Sequence, residues 1–188
     1  MTHALAHSQP ALSMLKNLRL RYDPVEDRIT MRLTMQAAGE PALDHWLHLT
    51  RRICAAWRQD LQAVLDISAQ APASTAPSTK AAISSAHHEA MASQAKVRTE
   101  PVEQEPEPST PPALVTKVVC GRRRSDGKWV VRFERKELPP LTLQLSSTTL
   151  HGLVDALARR VKMAAWGLSP LPHEAKGAEP PTEGAHLH

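Results

Sequence analysis

Residues 17–22 alternate in character: Leu18, Leu20 and Tyr22 are apolar, whereas Asn17, Arg19 and Arg21 are polar. A period of two predicts a strand with one face in a core and the other in water. After the turn residues Asp23-Pro24-Val25-Glu26-Asp27, the residues Ile29, Met31, Leu33 and Met35 alternate with Arg28, Thr30, Arg32 and Thr34, which predicts a hairpin partner. Gly39-Glu40-Pro41 breaks the chain. A third strand runs from Leu43 to Leu49, with His45, Leu47 and Leu49 on one face and Asp44, Trp46 and His48 on the other. Thr50 is of the N-cap type, and Ile53, Trp57, Leu61, Val64 and Leu65 then recur at helical spacing as far as Ile67.

The same order returns later in the chain. Val118 and Cys120 stand 100 positions after Leu18 and Leu20, and Trp129, Val131 and Phe133 stand 100 after Ile29, Met31 and Leu33. Ser125-Asp126-Gly127 supplies a hairpin turn between them. After Leu138-Pro139-Pro140, a strand with Leu141, Leu143 and Leu145 inward matches His45, Leu47 and Leu49 at an offset of 96. Ser146 takes the place of Thr50 as cap, and a helix with Leu150, Leu153, Val154, Leu157 and Val161 inward ends near Gly167.

The expected fold is therefore α+β: a strand-strand-strand-helix unit, duplicated into one pseudo-symmetric domain, with the helices on one face of the sheet. One such unit alone is too small for a comfortable core. The expected organisation is a flexible N-terminus over 1–13, a first unit over 14–68, a linker over 69–113, a second unit over 114–168 and a tail over 169–188. The linker is Ala, Ser, Thr, Pro and Glu with few large apolar residues, too little to offset the entropy of ordering, so it is expected to be disordered. Within it, residues 81–97 carry only a transient helical tendency. The tail is expected to be disordered for the same reason.

Composition localises rather than overturns this picture. The 16 Pro against 7 Gly in 188 residues fall mostly in the linker and tail. The formal net charge of +4 hides an uneven distribution, since residues 114–168 hold 11 Lys and Arg against 4 Asp and Glu. No apolar stretch reaches the ~18 residues that span a bilayer, and the N-terminal residues lack an export signal. A cytoplasmic protein without membrane contact is the expectation, with Cys54 and Cys120 as reduced, buried thiols.

Motifs for catalysis are missing: there is no nucleophile elbow, phosphate loop, zinc spacing or calcium loop. Asp23, Glu26, Asp27 and Asp126 fall in turns, Asp60 and Asp155 on polar helix faces, where solvation is their ordinary role. His45 points inward as a core residue. The pairs His87-His88 and His186 with His188 lack the spacing of a metal site and read as incidental. The expectation is a protein that is not an enzyme and has no cofactor and no metal.

The sheet face turned away from the helices is the candidate site. Alternation assigns to it Arg19, Arg21, Arg28, Arg32, Trp46 and His48 from the first unit. The second contributes Lys117, Lys128, Val130, Arg132, Thr142 and Gln144, with Arg122, Arg123 and Arg124 at the adjacent hairpin tip. Trp57 and Trp129 belong to the core and Trp166 closes the last helix, which leaves Trp46 as the outward Trp. Cations neutralise phosphates, and an exposed indole gives a base something to stack on. The partner this implies is single-stranded DNA or RNA. The alternative is an assembly module, binding a protein partner or a second copy of the chain through the exposed edges that a six-stranded sheet leaves. In element order the chain resembles the Whirly and PUR-type single-strand nucleic-acid binders over residues 15–67 and 114–167. Their units typically have four strands before the helix rather than three, and none of their motifs is matched. The resemblance implies a nucleic-acid role without naming any residue for it.

Overall fold

Each alternating segment is a strand in the computed structural model, which describes residues 14–95, 108, 110–169 and 171. Strands β1 (Met14–Asp23), β2 (Arg28–Gln36) and β3 (Leu43–Thr50) lead into helix α1 (Arg51–Ala69), and helix α2 (Pro77–Ser93) follows. Then come β4 (Ala113–Arg122), β5 (Trp129–Arg135) and β6 (Leu138–Leu145), and helix α3 (Ser147–Met163). The six strands form one mixed sheet in the order β1-β2-β3-β4-β5-β6. All neighbours are antiparallel except β3 and β4, which pair in parallel through Leu47 with Ala113 and His48 with Leu114. The fold is α+β, and no helix of the described residues is long and apolar enough to cross a membrane.

The inward parity is dry. Ile29, Met31, Leu33, Leu47 and Leu49 are wholly buried, as are Val131, Phe133 and Leu143 in the second half of the sheet. On this face α1 packs Trp57 edge-on against Phe133, with ring centroids 5.5 Å apart. The Trp57 indole N–H points at the Cys120 sulfur, 3.0 Å away. Thr50 and Ser146 cap α1 and α3, accepting from the amides of Ile53 and Thr149 respectively.

The strand edges differ from the expectation of two open rims. The sheet curls until β1 and β6 approach each other. The Arg160 guanidinium of α3 donates to the Leu20 carbonyl of β1 at 2.8 Å, so one edge is covered by a helix. On β6 the strand begins at Leu138 rather than after Pro140. Edge strands tolerate Pro because an outward N–H is not needed by a neighbour. A tight turn at Lys136 and Glu137 joins β5 to β6, with Glu137 at φ 58°.

The linker needs correction too. Within 69–113 the chain forms α2 over 17 residues, packed against α1 and α3. Pro77 in its first turn is suited to a helix start, where the missing N–H is not required. Its buried face is Ser84, Ser85 and His88, so it carries none of the apolar periodicity by which helices are read from sequence. The part of the linker after α2 lies mostly outside the described residues, as do 1–13 and nearly all of the tail. Of the tail, Ser169 accepts through its carbonyl from the buried Arg58, and Leu171 is buried.

Candidate nucleic-acid interface

Strand register decides which outward side chains meet. Arg19 of β1 stands opposite Arg32 of β2, and Arg32 stands opposite Trp46 of β3. One row of the open face thus reads Arg19, Arg32, Trp46. The next reads Arg21, Thr30, His48, and on the other side lie Asn17, Thr34 and Asp44. Like charges directly across a strand pair are destabilising. Two features relieve the pressure at Arg32: it donates to Asp44 at 2.6 Å, and its guanidinium lies 5.3 Å from the centre of the Trp46 ring. Even so, the Nε atoms of both Arg19 and Arg32 are buried with no hydrogen-bond partner.

The electrostatics of the row are legible in Asp44. Burial pushes its carboxyl upward, but hydrogen bonds from Arg32 and Thr34 outweigh that and hold it below the ordinary carboxylate range. His48 shifts the other way. Burial lowers its imidazole, partly offset by Glu26, so at neutral pH it presents an uncharged ring, 3.4 Å from Thr30 Oγ1 through Nδ1. Alternation puts it on this face, and its part there is that of a neutral ring edge.

Carboxylates built into the fold engage many of the expected cations. Arg28 is 3.6 Å from Glu26, Arg132 is 2.8 Å from Glu134, and Lys128 is 3.9 Å from Asp126. Arg123 pairs with Asp126 and reaches Gln144 Oε1 at 3.0 Å, which places it over the β6 margin of the face. The pairing with Arg123 holds the Asp126 carboxyl down to about 2. Arg122 is a correction. It shares the inward parity of its partner Trp129 and lies over that ring at 5.7 Å, on the side away from Trp46. Among the described residues, Arg19, Arg21, Lys117 and Arg124 have no ion pair.

The face is uneven. Its β1–β3 half carries the cationic row and the half-buried Trp46. Its β4–β6 half carries Val119, 43% exposed, and half-buried Val130 beside exposed Arg132 and Thr142. Val119 stands on this face by the same parity that turns Val118 and Cys120 inward, although it is not among the candidates named from the sequence. Comparison with protein-family models, curated proteins and solved structures finds no match. The face therefore has to be read from its own chemistry.

The remaining expected groups fall elsewhere. Cys54 is buried and Cys120 half-buried, both free thiols. Burial pushes them up to about 12 and about 11, which keeps them protonated and unreactive at neutral pH. His45 is half-buried with its imidazole lowered, chiefly by burial. Among the described residues no group of three or more His, Cys, Asp or Glu is placed to hold a metal ion. His186 and His188 lie outside the described residues.

Two side chains do more than alternation assigned them. Trp166, beyond the end of α3, is buried and donates its indole N–H to Asp27 at 2.6 Å while meeting Tyr22 edge-on at 6.0 Å. Asp27, expected to be a solvated turn residue, is thus the acceptor that ties the β1–β2 turn to the C-terminal segment. Tyr22 donates to the same oxygen at 2.8 Å. Nothing local in the sequence links positions 27 and 166.

Proposed function

We propose that the chain is a non-enzymatic binding protein that takes single-stranded nucleic acid on the open sheet face around Trp46. The observation that carries this reading is the row of Arg19, Arg32 and Trp46, in register across three adjacent strands. A like-charge pair directly opposed on neighbouring strands runs against local stability, and departures of that kind concentrate where a protein binds something. A phosphate between Arg19 and Arg32 relieves the repulsion, and the Trp46 ring offers a surface for one base.

We further infer that the two βββα units are copies of one ancestral unit. Their hairpins share a register at an offset of 100: bulges fall between Leu15 and Asn17 and between Val115 and Lys117. Asp27 and Gly127 both take a positive φ, at 50° and 67°. On this reading the first copy retains the binding row, while Val119 and Val130 occupy part of the same face in the second.

A second reading has its own support. The ion pairs of Arg28, Arg123 and Arg132 with neighbouring carboxylates, together with exposed Val119, suit a protein-binding face. Purification of the untagged protein from its native extract separates the two. Nucleic-acid absorbance that stays with the protein at low salt and leaves at high salt supports the first, and a stoichiometric protein that stays at high salt supports the second.

A further inference from the structure

Four polar side chains from three helices meet in the interior. Ser68 of α1, His88 of α2 and His151 of α3 are 8%, 4% and 0% exposed. The Nδ1 atoms of His88 and His151 are 2.9 Å apart, and His151 Nε2 is 3.0 Å from Ser68 Oγ. The same hydroxyl lies 3.3 Å from His87 Nε2. The rings of His87 and His88 each sit 5.1 Å from that of His151.

We propose that α2 is a pH-gated latch: the imidazole network of His87, His88 and His151 around Ser68 holds it on α1 and α3 at neutral pH, and protonation releases it. The contact between two Nδ1 atoms requires one to donate and the other to accept, so at least one imidazole is neutral in the docked state. Two imidazolium rings there place N–H against N–H and charge against charge in a site with little water. The order Ser68, His151, His88 has the connectivity of a hydrolase triad, but Ser68 is closed off inside the last turns of a helix, so the network joins helices instead.

α2 buries little apolar surface. Its buried residues are two serines and one histidine, and Ile83, its large aliphatic residue, is 36% exposed. Charged side chains stand on each of the three helices. On α1, Asp66 accepts from Gln62. On α2, Lys80 and Glu89 are exposed. On α3, Asp155 pairs with Arg159.

The direction of the pH effect follows from linkage. A free imidazole takes up a proton with an ordinary pKa of about 6.5, whereas the Nδ1–Nδ1 contact of His88 with His151 is made only while at least one of the two rings is neutral. Docking is therefore strong above that value and weakens as the pH falls below it, by about tenfold between pH 7.5 and 5.5 for each imidazole kept neutral. Release uncovers the α1–α3 surface around Ser68 and His151.

Hydrogen exchange of the full chain at pH 7.5 and 5.5, corrected for the intrinsic pH dependence of exchange, tests this. Amides of α2 are expected to lose protection by about tenfold or more at pH 5.5, while those of β2 and α1 keep theirs. His88→Asn is expected to flatten the α2 step to less than about threefold, and Glu89→Gln to leave it intact. Unchanged α2 protection in the parent chain, simultaneous loss in α2 and β2, or a step that survives His88→Asn overturns the latch.

Discussion

Asp27 shows how one side chain acquires a role its sequence neighbours do not announce. It lies in an exposed turn, yet it accepts from the Trp166 indole and the Tyr22 hydroxyl, and these bonds, the indole first, hold its carboxyl below the ordinary range. Folding therefore favours the charged form. Its contribution is present above about pH 4, the unfolded value, and is lost as the pH falls through the lower folded value. Asp27→Asn is expected to lower the Tm at pH 7, and the gap from the parent protein is expected to close as the pH falls through the folded value. A gap that is constant with pH shows that the charge plays no part. Alternation placed Arg19, Arg32 and Trp46 on the open face because parity is a local property. Arg122 was assigned to the hairpin tip beside that face instead, whereas the parity of Val118 and Cys120 carries it to the inward side with Trp129. The pairing of Asp27 with Trp166 spans 139 positions and leaves no local trace.

Elements were legible where apolar periodicity was strong. The strands, the two capped helices and both caps were readable for that reason, with Thr50 and Ser146 named from residue type and position. The caps differ in quality: Ser146 Oγ accepts at 3.1 Å and Thr50 Oγ1 at 3.4 Å. Removing an N-cap costs about 1 kcal/mol, and Ser146→Ala is expected to lower the urea midpoint more than Thr50→Ala. The opposite order contradicts the geometric reading of the two caps. α2 was not legible, because its contacts are made by Ser and His side chains that look like those of a linker. β6 was read short for a related reason. Pro139 and Pro140 signal a break unless the strand is already known to be at an edge.

At the scale of the molecule, curling of the sheet and the arginine from α3 protect the strand edges, which turns attention from edges to faces. The helices cover one face and leave the other to the Arg19–Arg32–Trp46 row. The net charge of +4 says little by itself, since what matters is which cations the fold leaves without carboxylates. Trp fluorescence addresses that face selectively, because Trp57, Trp129 and Trp166 are 1%, 2% and 4% exposed while Trp46 is half-buried. The most direct test is titration with a single-stranded oligonucleotide at low salt, following Trp emission and, in parallel, the anisotropy of a labelled strand. The account predicts saturable quenching, affinity that falls as salt rises, and a loss of about tenfold or more on Trp46→Ala, in line with one stacked base. No quenching at low salt, or strand affinity unchanged in Trp46→Ala and in the double variant Arg19→Ala with Arg32→Ala, contradicts it.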